Sequence, residues 1–149
     1  LVLEDRIIEE SLDIMLWALQ QNDPSDWFNA QIKALSLHLI QKNDLEFKPL
    51  LDAYKYPERQ ASSTDYFQKA IEIFLKPLNH LLEKNSYLVD DQIKLVDVAI
   101  FPFVRQFAKV DEVRFNALPL HHLHTWLSTM TRWSIFDLAM KKIPEWKEG

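Results

Sequence analysis

The 149-residue chain is 48% hydrophobic and 12% aromatic, which fits one compact soluble domain with a sizeable core and argues against disorder. Its formal net charge of −5 offers no electrostatic footprint for a phosphate backbone, and no apolar run approaches the roughly twenty residues of a membrane helix. Neither nucleic acid nor a membrane is an expected partner, and with no cysteine these residues supply no disulfide, thiolate metal site or thiol nucleophile.

The chain opens on Leu1-Val2-Leu3, then Glu4-Asp5, then Arg6-Ile7-Ile8. Two short apolar stretches around a two-residue turn predict a β-hairpin, although Glu-Asp is a weak substitute for the Asn-Gly or Asp-Gly that such turns favour. A lone hairpin is marginal in water, so the expectation is the remainder of a sheet whose other strands precede Leu1. A first residue other than methionine fits a segment of something longer.

Beyond the hairpin the pattern turns helical. The single glycine is Gly149, so the positive-φ positions of hairpin-rich folds have few cheap occupants, and apolar residues recur at three- and four-residue spacing. A mainly α fold follows, with helices predicted over 11–20, 29–41, 45–53, 65–84, 95–109, 119–130 and 134–140. Asp23 to Trp27, the sequence DPSDW, reads as a connection between two domains, 1–22 and 23–149. The segment 65–84 carries the clearest stripe, from Tyr66 and Phe67 to Leu81 and Leu82, with Ser62 and Asp65 spaced as a capping box and Pro77 inside as a kink. The interval 56–64 is a loop.

Glu10 and Ser11 stand where the first helix begins. A helix start presents unpaired N–H groups and partial positive charge, which suits a carboxylate, while a neighbouring Glu10 suits the ammonium that accompanies it in an α-amino acid. The same residues also read as a plain helix start, with Ser11 as cap and Glu10 and Asp13 favouring the dipole. Spacing alone leaves both readings open.

Further along, Asp97 falls at the third position of the helix that starts after Lys94, with Ile93 and Val98 spaced as a hydrophobic staple. Lys94 stands where a capping hydroxyl belongs, so one of the two reciprocal bonds is lost, and Lys94→Ser is expected to stabilise. Pro102 suggests a kink or break in this helix. Arg105 after it reads by default as a guanidinium reaching solvent or a carboxylate. His121, His122 and His124 include a pair at three-residue spacing but have no fourth ligand cluster nearby, so a surface helix is the better reading than a zinc site. Asp90-Asp91 and Asp111-Glu112 read as solvated acids at loops or helix ends. Trp17, Trp27, Phe28, Tyr54, Tyr56, Trp126, Trp133 and Trp146 suit either an apolar pocket or core packing.

Taken together, the opening stretch with RIIEESLDIMLWAL, the segment ALSLHLIQKNDLEFKPLLDAYKYPER and the segment YLVDDQIKLVDVAIFPFVRQFAKVDEVRF resemble the glutathione transferase superfamily, over nearly the whole chain. The first resembles the last two strands and third helix of its thioredoxin-like domain, and the others its all-helical C-terminal domain, in a bacterial subgroup. The resemblance implies that Glu10 and Ser11 receive the γ-glutamyl end of glutathione, and that Asp97 belongs to a capping box whose usual Ser or Thr is replaced by Lys94. It also implies a catalytic serine, tyrosine or cysteine upstream of Leu1, so that no catalytic residue lies in this chain. The implied parent protein is a cytoplasmic homodimer that transfers glutathione to a hydrophobic electrophile, or reduces one, without a metal. The alternative is a non-catalytic scaffold of the same fold. The electrophile pocket is expected around 29–41 and the tail Ile143 to Trp146.

Overall fold

The computed structural model describes residues 1–60 and 63–142. Helix α1 (Ser11–Gln21) comes first, and after an irregular connection α2 (Lys33–Lys42) runs through a π-helical turn, Asn43–Phe47, into α3 (Lys48–Lys55). A single 3₁₀ turn at Pro57–Arg59 leads towards α4 (Tyr66–Ala70), which passes through a second π turn, Ile71–Leu75, into α5 (Lys76–Leu82). Then come α6 (Leu95–Val110), the short α7 (Glu112–Asn116), α8 (His121–Thr131) and α9 (Ser134–Ala139).

The expected β-hairpin is not formed. Among the described residues there is no strand, and the opening segment makes one isolated antiparallel bridge between Val2 and Ile7. Leu3 N–H donates to the Arg6 carbonyl at 2.8 Å and Ile8 N–H to that of Leu1 at 2.8 Å. The chain reverses where the turn was predicted, but Val2 and Ile7 remain 77% and 66% exposed. With no neighbouring strand and no apolar cover, two short segments lack the burial that extends a bridge into a ladder.

Prolines explain the two π turns. Pro49 and Pro77 are each the second residue after one of them. A proline inside a helix offers no N–H and crowds the carbonyl four residues back, and a wider turn ahead of it absorbs the missing bond. The disturbance expected at Pro77 is therefore taken up over Ile71–Leu75. Pro102 behaves differently, because α6 continues unbroken through it with the proline exposed.

The two π turns pack against each other, with Phe47 and Phe74 stacked at 4.6 Å between ring centroids. Phe107 of α6 lies against both Phe47 (5.6 Å) and Phe67 (5.3 Å). Helix α6 thus runs through the middle of the bundle, touching α2, α3, α7 and α8, and buries Val96, Ile100, Phe101, Val104 and Phe107. Its stripe of apolar residues at helical spacing is what makes this central place stable.

Boundaries depart from expectation where side chains intervene. Helix α2 starts later than predicted because the Asn29 Oδ1 accepts from the N–H groups of Gln31 and Ile32, forming a turn before the helix. The unpredicted α7 is capped by Asp111, whose carboxylate accepts from Arg114 N–H at 2.9 Å. Ser62 lies outside the described residues, and Asp65 itself holds the cap position of α4, accepting from Gln68 N–H at 3.1 Å.

Asp65 also accepts from Arg114 Nη2 at 2.8 Å, which ties α4 to α7. The Gln68 N–H, and after it the Arg114 guanidinium, hold the Asp65 carboxyl below the usual carboxylate range. A carboxyl depressed in the native state stabilises it above the unfolded value of about 4, and that stabilisation is lost as pH falls through the lower native value. Asp65→Asn keeps a competent cap and removes the charge, so it should cost about 0.5 kcal/mol at pH 7. In urea unfolding the gap between the two proteins should narrow as pH falls below about 4; a gap independent of pH would disprove the ionic contribution.

Candidate functional site

The start of α1 is open. Glu10 occupies the cap position with extended backbone (φ −79°, ψ 136°), and its side chain makes no capping bond. Ser11 is the first helical residue rather than the cap, which removes the simple capping role for its hydroxyl. The first helical N–H to reach a carbonyl is that of Ile14, bonded to Glu10 O at 3.0 Å, so the amides of Ser11, Leu12 and Asp13 have no carbonyl partner within the helix. Both side chains are exposed. Beside them an open groove of about 470 Å³ is lined by Arg6, Glu9, Glu10, Asp13 and Trp17, but not by Ser11. Glu10 and Ser11 therefore stand together at one helix start, with the acidic side turned to the groove.

A second groove, of about 670 Å³, lies between α1 and α2 and is lined by Leu12, Ala34, Leu37, His38 and Leu45. It falls in the region where an electrophile pocket was expected. The other expected region, Ile143 to Trp146, lies outside the described residues. Four of the eight singled-out aromatics serve packing: Trp27 meets Trp133 at 5.8 Å, Tyr54 meets Phe67 and Phe107, and Trp126 is buried.

Behind the connection 22–32 sits a buried polar knot. Asp97, at the third position of α6, is 0% exposed and accepts three hydrogen bonds. One comes from Lys94 N–H at 3.0 Å, one from Leu88 N–H at 3.0 Å, and one from the indole Nε1 of Trp126 at 2.9 Å. Burial pushes this carboxyl above the usual range, and the three donors act against that rise. The carboxylate thus joins the start of α6, the loop before it and α8. Sequence spacing pointed to the Lys94 N–H alone; a buried indole in need of an acceptor was the signal for Trp126.

Lys94 has a place of its own. An ammonium has no lone pair to accept an N–H, so it does not replace the missing hydroxyl of the cap. It is 4% exposed, and its Nζ donates to the Asp26 carbonyl at 2.9 Å, with Asp90 Oδ2 at 3.6 Å. Asp26 has φ 51°, and Asp23 folds the same connection by accepting from Trp27 N–H at 2.8 Å and Phe28 N–H at 3.0 Å. Leu95 N–H then donates to Trp27 O at 3.1 Å. The lysine and its neighbour pin the connection to the start of α6.

Arg105 lies half-buried on α6, its guanidinium carbon 5.1 Å from the Phe136 ring centroid, with no carboxylate partner among the described residues. His124 is turned inward: its Nε2 donates to Leu118 O at 3.0 Å and its ring meets Phe115 edge-on, while His121 and His122 are exposed. Among the described residues no group of three or more histidine or acidic side chains is placed to hold a metal ion, and no helix is long and apolar enough to cross a membrane.

Compared with known families, residues 38–132 match the model of the glutathione S-transferase C-terminal domain. This is well over half of the chain, and the chain belongs to that family. No curated protein and no solved structure matches it significantly.

Asp97→Ala would leave three buried donors without an acceptor and should destabilise the domain by about 3 kcal/mol, or roughly 10 °C in Tm, with Asp97→Asn intermediate. Thermal melts of the three proteins check this; a shift within error for the alanine variant would remove the carboxylate from the fold's support. Lys94→Ser, expected from the sequence to stabilise, should instead lower the melting temperature, because it breaks the tie to Asp26 and leaves a void around a buried stem. A raised melting temperature would restore the capping argument.

Proposed function

We propose that this chain is the helical domain, 23–149, together with the end of the glutathione-binding domain, 1–22, of a glutathione transferase-like enzyme. The observation that carries the reading is the start of α1, where exposed amides and the free hydroxyl of Ser11 adjoin an acidic groove, in a chain of this family. Unpaired N–H groups at a helix start favour the α-carboxylate of a glutamyl group, and Glu10 beside the groove favours its ammonium. The full-length protein activates the glutathione thiol through a group upstream of Leu1. It then transfers the tripeptide to an apolar electrophile, or uses it to reduce one, over the groove between α1 and α2. No metal is required. The family further supports a homodimer working in the cytoplasm.

In the full-length protein, Glu10→Gln with Ser11→Ala should weaken glutathione binding by about tenfold or more, as expected for loss of charge-assisted bonds. Calorimetric titration with glutathione reads this, and melting curves verify that the variant stays folded, since neither side chain is buried. Unchanged affinity sinks the assignment of these two residues. An absence of glutathione binding in the parent protein favours the non-catalytic scaffold.

A further inference from the structure

Helix α1 sits lightly on the bundle. None of its residues is buried, and of its apolar side chains Leu12 is the one that packs against the core. Among the described residues no hydrogen bond or ion pair joins α1 to the helices from α2 to α9. Yet Leu12 also forms one wall of the groove between α1 and α2, so the width of that groove depends on where α1 is held. The holding falls to the connection 22–32.

Two consecutive carbonyls of that connection are taken by two consecutive residues at the start of α6. Trp27 O accepts from the Leu95 N–H at 3.1 Å, a bond that any residue but proline would make. Asp26 O accepts from Lys94 Nζ at 2.9 Å, a bond that needs a long cationic side chain. The lysine side chain is 4% exposed, with Asp90 Oδ2 at 3.6 Å and Asp26 Oδ2 at 4.0 Å to balance its charge. Burying an ammonium is costly, and a helix start does not require one.

Asp26 is where the chain turns. Its φ of 51° is the one positive value among the described residues, a conformation open to aspartate but unfavourable for most side chains. Asn29 Nδ2 steadies it from outside by donating to Asp26 Oδ2 at 2.6 Å. The Asp26 side chain is itself 67% exposed, so the residue is held through hydrogen bonds rather than by burial.

We propose that Lys94 is a positioning residue: by holding the Asp26 carbonyl it keeps Asp26 left-handed and makes 22–32 a locked hinge that sets the distance of α1 from α2. Without the ammonium, Asp26 relaxes to negative φ, its carbonyl turns to water and α1 swings away, widening the groove. The same hinge sets the spacing of Glu10 and Ser11 from the electrophile groove; that consequence rests on the glutathione reading, whereas the hinge does not.

The chain has no cysteine of its own, so nitroxide pairs can be attached at exposed positions. Ala18→Cys with Lys69→Cys measures α1 against the bundle, and Lys69→Cys with Thr129→Cys measures the bundle against itself. In pulsed electron resonance on the full chain, Lys94→Met should lengthen the first distance and broaden its distribution about twofold, leaving the second unchanged. Asp26→Val, which disfavours positive φ, should do the same without altering a buried side chain. Asp26→Gly, which accepts positive φ, should keep the first distance as it was, although it too loses the carboxylate. An unchanged first distance in Lys94→Met or Asp26→Val would overturn the proposal, as would Asp26→Gly matching Asp26→Val. Equal broadening of both pairs would overturn it too, since that marks a general loosening of the bundle. No glutathione enters the measurement, so a failure here leaves Glu10 and Ser11 to be judged by their own titration.

Discussion

Asp97 is a fully buried carboxyl, and three separate segments of the bundle are tied together by satisfying it. Its two oxygens collect donors from three separate segments: the loop before α6, the first turn of α6 and the indole on α8. Burial disfavours the ionised carboxyl and its donors offset only part of that, yet the same donors without it would each carry a desolvation penalty, so the knot holds together as a unit. Lys94 extends it outward by holding the carbonyl of Asp26 in the connection between α1 and α2.

Around that fastening the core depends on two helices being able to carry prolines without breaking. The π turns before Pro49 and Pro77 meet each other at the Phe47–Phe74 stack, so the irregular stretches lie at the centre of the packing, against α6. A wider turn brings its side chains round by a different angle from an α-helix, and here that angle delivers two phenylalanines face to face.

Charge is distributed unevenly over the surface that results. Acids gather at the start of α1 beside a groove, while arginines that pair with no acid among the described residues lie towards the end of α6 and after α8. The two regions differ in the charge they present: mainly carboxylates beside an open helix start in one, mainly cations in the other. The family match spans residues 38–132 and does not reach the start of α1.

The sequence by itself determined the helical class and most helices, because three- and four-residue apolar spacing and a single glycine leave no other economical fold. It also marked the start of α1 through Glu10 and Ser11, and Asp97 as a residue of the first turn of α6, since those are local features. What it overestimated was the opening hairpin, where two short apolar stretches around a turn promised strands but pairing needs partners that a local pattern does not contain. The tie made by Lys94 was not legible for the same reason: its acceptor, the Asp26 carbonyl, lies far away in sequence. Trp126 reaching Asp97, the π turns meeting at two phenylalanines, and the Arg105 Nε left without an acceptor among the described residues were decided by the tertiary structure alone. Each depends on which groups arrive next to one another when the helices pack, and no periodicity records that.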